Sequence, residues 1–156
     1  MAIPASVRNY LDQEGVVYDA IPHSRTVDSS RSAQAAHVPG DQLAKCVVLE
    51  DDNGYLMAVI PASHRLDLRS IRRELSRELG LATEREVLEL FRDCEPGAVP
   101  PLGRVYGIDM VLDQSLVDAR EAYFEAGDHE SLIRVSGRDF LKLMADCPRR
   151  SVSHHL

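Results

Sequence analysis

The chain has little with which to staple itself and nothing with which to anchor itself. Its 156 residues include three widely separated cysteines, Cys46, Cys94 and Cys147, with no CxxC pair and no histidine at ligand spacing to any of them. That argues against a disulfide framework or a structural zinc and suits a reducing compartment. The N-terminal MAIPASVRNYL has no basic start leading into an apolar core, and no apolar run is long enough to cross a bilayer. Neither a signal peptide nor a membrane span is expected, and the expected location is cytoplasmic. Positive charge is also short: 18 Lys and Arg against 25 Asp and Glu leave a net charge of −7. The overall field therefore favours neither DNA nor an anionic membrane, and any contact with RNA must be local. No GxSxG, HExxH, P-loop or Rossmann glycine pattern occurs, so no familiar catalytic fingerprint assigns a chemistry.

What is present is enough apolar sequence, 44% of residues, to bury a core in one domain, expected over residues 1–146. The tail CPRRSVSHHL, 147–156, has no periodicity and is expected to be loose. Residues 5–14 place Val7, Tyr10 and Leu11 at helical spacing between Ser6 and Gly15, and VVYDAI (16–21) reads as a strand. An Ala-rich helix is expected over 29–38. LAKCVVLE (43–50) and YLMAVIPA (55–62) form a hairpin joined by Asp51-Asp52-Asn53-Gly54, with Asn-Gly supplying the positive φ angles of a tight turn. A helix over 66–79 carries Leu68, Ile71, Leu75 and Leu79 on one face. Thr83 and Glu86 make a capping box for the helix with Val87, Leu90 and Phe91. Strands follow at 105–113, 121–126 and 131–135, and Ser136 caps a last helix. Helices interrupt the strands irregularly, which favours an α+β fold over a doubly wound parallel sheet.

A few residues stand out against this frame. GAVPPLG, 97–103, sets two glycines, permissive in φ, around two prolines that fix φ and donate no hydrogen bond. It reads as a stiff loop, either a rigid connector or the wall of a site. Lys45, inside the apolar run LAKCVVL, either belongs to the solvent-facing side of a half-exposed strand or meets a ligand or carboxylate. His129, after Gly127 and Asp128, fits a tight turn as well as it fits substrate binding. His23 and His64 read as surface loop residues, and Ser63-His64 is only weak support for a serine hydrolase. Arg65, Arg69, Arg72, Arg73 and Arg77 gather on and just before one helix where they can meet RNA phosphates, although Glu74 and Glu78 interleave with them as in a solvated, salt-bridged surface.

These pieces, in this order, resemble the YbaK/EbsC family, the prolyl-tRNA synthetase-associated editing domains, from about His23 to Leu143. The resemblance runs through AQAAHVPGDQLAKCVVL, AVIPASHRLDLRSIRREL, GAVPPLG and AGDHESLIRVSGRDFLKL. It implies a mixed, strongly curved β-sheet or barrel flanked by helices. It also implies a free-standing deacylase that hydrolyses the ester joining a wrong, small amino acid to the terminal adenosine of a tRNA, most often tRNA for proline, without metal, cofactor or covalent intermediate. Lys45, Gly97 and Gly103 would then carry catalysis, Lys45 by orienting the acceptor end. Cys46, Ala98, Val99, Pro100, Pro101, Leu102, Gly127, Asp128 and His129 would contact substrate. The partners implied are the acceptor end of an aminoacyl-tRNA and a synthetase or elongation factor that assists its delivery. Cys46 departs from the threonine or asparagine common after the lysine, and Pro100 from a small polar residue; both bear on which amino acid is removed. The rival reading is a non-catalytic module of the same fold that binds a nucleotide-like ligand or a protein partner.

Overall fold

Alternation along one strand divides the molecule into two layers. The structure is a computed structural model describing residues 3–24 and 29–156, the side chains of Ser29 and Ser30 excepted. In β2 (Leu43–Asp51), Ala44 and Val48 point into a large core with Cys46 packed against it, while Val47 and Leu49 point into a second core on the opposite face. This period of two is what a strand buried on both faces requires. β3 (Gly54–Pro61) pairs with β2 in an antiparallel ladder from Ala44↔Pro61 to Asp51↔Gly54. The hairpin tip differs slightly from expectation: Asp52 and Asn53 form it, and Gly54 alone takes a positive φ, +124°. The Asn53 N–H caps the Asp51 carboxylate at 2.9 Å, which supplies the local bond that an Asn-Gly centre would not.

The remaining elements are α1 (Ala5–Gln13), β1 (Asp19–Pro22), α2 (Ser29–Ala36), β4 (His64–Leu66), α3 (Leu68–Leu75), β5 (Gly80–Leu81), α4 (Glu84–Leu90), β6 (Asp109–Asp113), β7 (Glu121–Glu125), β8 (Ser131–Ser136), α5 (Gly137–Leu143), β9 (Arg149–Arg150) and β10 (Ser153–His155). The main sheet runs β1-β8-β7-β2-β3-β6-β9, with β5 also on β2. It is mixed, because β2–β7, β3–β6 and β6–β9 are parallel and the other pairs antiparallel. The α+β class and the helix-flanked mixed sheet are as expected. Closure into a barrel is not: β1 and β9 end the sheet as separate edges. Val7 and Leu11 of α1 and Phe140 and Leu143 of α5 fill the large core on one face. Ile71 of α3 and Ala33 of α2 cover the other.

Two expected elements are cut short for a visible reason. The helix expected to reach residue 79 stops at Leu75, where Ser76 turns left-handed (φ +52°) and Arg72 Nε bonds Leu79 O at 2.7 Å. Gly80 and Leu81 then pair with Glu50 and Leu49, so sheet pairing overrides helical propensity. Arg77 secures this return through two 2.7 Å bonds to Asp51 at the hairpin tip. The strand expected from 105 begins only at Asp109, after a 3₁₀ turn closed by Gly107 at φ +70°.

The tail corrects the sequence reading. Arg149 and Arg150 pair with the end of β6 in parallel as an edge strand, and Ser153–His155 pair with β4. Between them Val152 is fully buried beside Ile71, its N–H bonding Asp113 Oδ1 at 2.9 Å and its C=O accepting from Asp67 N at 2.7 Å. A single apolar anchor between two very short strands leaves no period to read. Among the described residues no helix is long and apolar enough to cross a membrane. Val152→Ala should lower unfolding free energy by roughly 2 kcal/mol, from lost burial plus the cavity left behind. Urea unfolding checks this, and an unchanged midpoint would contradict a docked tail.

Candidate active site

β2 changes neighbours halfway along. On the side away from β3 it pairs with β7 only at Leu43↔Tyr123 and Ala44↔Phe124, then with β5 at Leu49↔Leu81 and Glu50↔Gly80. The Ala82 N–H adds a bond to Val48 O at 3.0 Å. On that side no strand among the described residues lies beside β2 from Lys45 to Val47, and the GAVPPLG loop comes into this fork, Cys46 Sγ meeting Val99 O at 3.3 Å. A cavity of about 260 Å³ remains, lined by Cys46, Val48, Ala82, Val87, Gly97 and Val99 among others.

The loop is held from below. Ala98, Val99, Pro100, Pro101, Leu102 and Gly103 are buried, whereas Gly97 is exposed at φ +79°. Gly103 is a packing glycine: a Cβ there would sit 2.3 Å from Ile108 O and 2.8 Å from Met110 Cγ. Its N–H goes to Met110 Sδ at 3.1 Å and its C=O to Ile108 N at 2.9 Å. Both backbone groups are thus engaged inside the fold, and Gly103 does not line the cavity. Ala98 N–H bonds Glu95 O and Leu102 N–H bonds Pro100 O. With no N–H on Pro100 or Pro101, the N–H groups of Gly97 and Val99 are the loop donors left without a protein acceptor among the described residues.

Gly127, Asp128 and His129 brace the start of this loop. Asp128 is buried and its carboxylate accepts from Glu130 N at 3.0 Å and Ser131 N at 2.9 Å, an Asx-type turn that places His129 at φ +59°. His129 Nε2–H donates to Pro96 O, so the neutral ring carries its proton there, and its buried Nδ1 has no partner among the described residues. Gly127 O accepts from Glu95 N at 2.8 Å. These three residues orient the segment entering Gly97 and are absent from the cavity lining.

Lys45 leaves β2 on the face opposite Cys46. Its Nζ donates to His64 O at 2.9 Å, and it does not line the cavity beside the GAVPPLG loop. The reason is the strand period itself, since neighbours in sequence face opposite sides. Ser63 and His64 do not form a nucleophile and its base. The Ser63 hydroxyl donates to Asp41, whereas His64 Nδ1 meets Ser153 Oγ at 2.8 Å. Glu125 is a residue the sequence reading passed over. It is buried at the end of β7, where the rung after Ala44↔Phe124 would set it against Lys45. A carboxylate between Phe124 and Ala126 in EAYFEA was its one signal, the counterpart of a lysine inside LAKCVVL.

Burial disfavours the thiolate form at Cys46 and Cys94. Burial pushes Cys46 up to about 12, with smaller contributions from the neighbouring Cys94 and from the charge of Glu125. The residue is only partly covered, but its sulfur points inward at Val99 O. Burial likewise raises Cys94 to about 12. Among the described residues no three His, Cys, Asp or Glu side chains are placed to hold a metal ion.

Comparison with known proteins places this geometry in a family. The aminoacyl-tRNA editing domain family matches residues 23–143, and the chain belongs to it. Among solved structures it is similar to hypothetical protein APE2540, with TM-score 0.84 and 23% identity over 96% of this chain and 99% of that one. It is similar also to a "putative trans-editing enzyme for prolyl tRNA synthetase", with TM-score 0.82 and 23% identity over 98% and 99% of the two chains. A signal transduction protein of Marinobacter aquaeolei, so described provisionally, shares the fold at TM-score 0.81 and 21% identity; the match covers 97% of this chain and 31% of that one. No curated protein matches the chain in sequence.

With Cys46 and Cys94 raised to about 12, the thiolate fraction at pH 8 is negligible. Ellman's reagent at that pH should react with the native protein far more slowly than with a free thiol, and with all three cysteines once the chain is unfolded. A rapid native reaction assigned to Cys46 would overturn the inward placement of its sulfur.

Proposed function

We propose that the protein is an aminoacyl-tRNA deacylase acting on tRNA that carries a small noncognate amino acid, tRNA for proline being the first candidate. The observation that carries this reading is the fork: a cavity of about 260 Å³ beside two loop N–H groups, those of Gly97 and Val99, with no protein acceptor among the described residues. A small amino-acid side chain fits the cavity, and the ester carbonyl lies against the loop. In the reaction a water oxygen bonds to the carbonyl carbon, the bond to the ribose oxygen breaks, and the ribose oxygen leaves with a proton. The substrate's own ribose hydroxyl or amine activates the water. Negative charge developing on the carbonyl oxygen is met by the two fixed donors, the kind of preorganised stabilisation that contributes about 3–4 kcal/mol per donor in acyl transfer.

The loop's stiffness supports this assignment, since donors that are already in place need no reorganisation as charge develops. Amino-acid choice follows from volume: exclusion of a proline ring is steric, whereas one methylene yields only about 1–3 kcal/mol of discrimination. With Cys46 in the cavity wall but protonated, the attack is by water and no acyl-enzyme forms.

The test is turnover of a panel of tRNAs for proline, alanine, serine and threonine bearing small amino acids, with enzyme below substrate concentration. One mischarged species should be deacylated. Gly97→Ala, which strains a φ of +79°, should slow it about 10- to 100-fold, whereas Cys46→Ser should stay within a few-fold. A loss of three orders of magnitude in Cys46→Ser would replace water with the thiol. Binding of the panel without any turnover would favour the non-catalytic module.

A further inference from the structure

An acidic protein that handles RNA needs a local place for phosphates. Six exposed arginines, Arg65, Arg69, Arg72, Arg73, Arg149 and Arg150, lie on β4, α3 and β9. They are a third of the 18 Lys and Arg in a chain of net charge −7. The docked tail gathers these elements: β10 pairs with β4, Val152 bridges to the head of α3 through Asp67, and Arg150 reaches Glu74 of α3 at 3.8 Å. Ile71 is the inward anchor of α3, which turns Arg69 and Arg73, four residues apart, to the outer side. One turn, roughly 6 Å of helix axis, is a reach that suits successive phosphates of one strand.

The charges in this strip are not all committed to the fold. Arg72 is held by Leu79 O and Arg150 by Glu74. Among the described residues, no carboxylate forms an ion pair with Arg65, Arg69, Arg73 or Arg149. The acids beside the strip include Asp67, which caps Ser70 N, Glu74 and Glu78 on and after α3, Asp113 opposite Arg150, and Asp41 at His155. The interleaved, salt-bridged helix surface suggested by the sequence is thus realised on one flank only. The strip lies over the sheet face opposite the cavity, with two links to the fork. α3 covers the sheet face from which Lys45 projects, and the Lys45 amine rests on the carbonyl of His64, next to Arg65. β5, which follows α3, borders the cavity through Leu81.

We propose that this strip binds the phosphate backbone of RNA, specifically the acceptor stem of the tRNA whose 3′ end enters the fork, so that the proposal rests on the deacylase reading. Guanidinium groups suit phosphate oxygens through paired, charge-assisted bonds. With the overall field repulsive, affinity comes from the few phosphates met here and from the counterions they release.

The experiment compares wild type, the double variant Arg69→Gln with Arg73→Gln, and a control, Arg85→Gln on α4. Each is assayed on mischarged full-length tRNA and on an aminoacyl-CCA trinucleotide that has no stem, at about 50 and 200 mM salt. The double variant should raise KM for full-length tRNA about tenfold at low salt, leave kcat unchanged, and lower the slope of log KM against log salt by about 1–2. The trinucleotide and the control should show no change. An equal loss on the trinucleotide, or no change in KM and slope, would overturn the strip. If wild type deacylates nothing, the deacylase reading has failed by itself, and anisotropy of a labelled acceptor-stem hairpin still decides this proposal. Weaker binding by the double variant supports it; equal affinity refutes it.

Discussion

Everything of interest in this fold depends on β2 losing one partner before it gains the next. β7 leaves after Ala44 and β5 arrives at Leu49, so a strand central to the sheet has a short stretch of bare edge in the interior of the sequence. A complete ladder would have closed this gap. The divergence costs local pairing, and the fold offsets it by bringing in the only segment with two adjacent prolines, which cannot itself become a strand partner.

Support for the gap comes from opposite directions. On one side the 126–131 turn holds the residues before Gly97 through Glu95 and Pro96. On the other, Arg77 ties the hairpin tip to the return segment that delivers β5, and the guanidinium holds Asp51 down at about 2. Neither brace touches the cavity, yet each fixes one of its borders. The acidic, hydrogen-bonded turn around Asp128 and the basic return at Arg77 are therefore structural charges with positional consequences.

Much of the fold was legible in the sequence. The hairpin, the capping box at Thr83 and Glu86, and the Ser136 cap all act through neighbours a few residues apart, and each is present. What was not legible depends on distant pairing. The end of α3 is set by β5 joining β2, and the tail by one valine fitting beside Ile71. The site was readable as a set of segments but not as an arrangement. Cys46 and Val99 do meet; Lys45 and Cys46, adjacent in sequence, part to opposite faces; Gly103 and His129 turn out to brace the loop. Glu125 escaped notice because a carboxylate near a strand end looks like any surface residue until the β2–β7 pairing is seen to stop one rung before it.

An uncovered strand edge has a second consequence, for the life of the protein in a crowded solution. Such an edge is where a foreign chain can add itself as one more strand, the first step of many aggregation reactions. The buried Val99-Pro100-Pro101 segment packs against this stretch of β2 through the Cys46 side chain, whose sulfur meets Val99 O. Two residues without N–H groups offer no donors to an incoming strand. The segment that shapes the pocket is thus also one that offers an approaching chain few donors with which to begin a ladder.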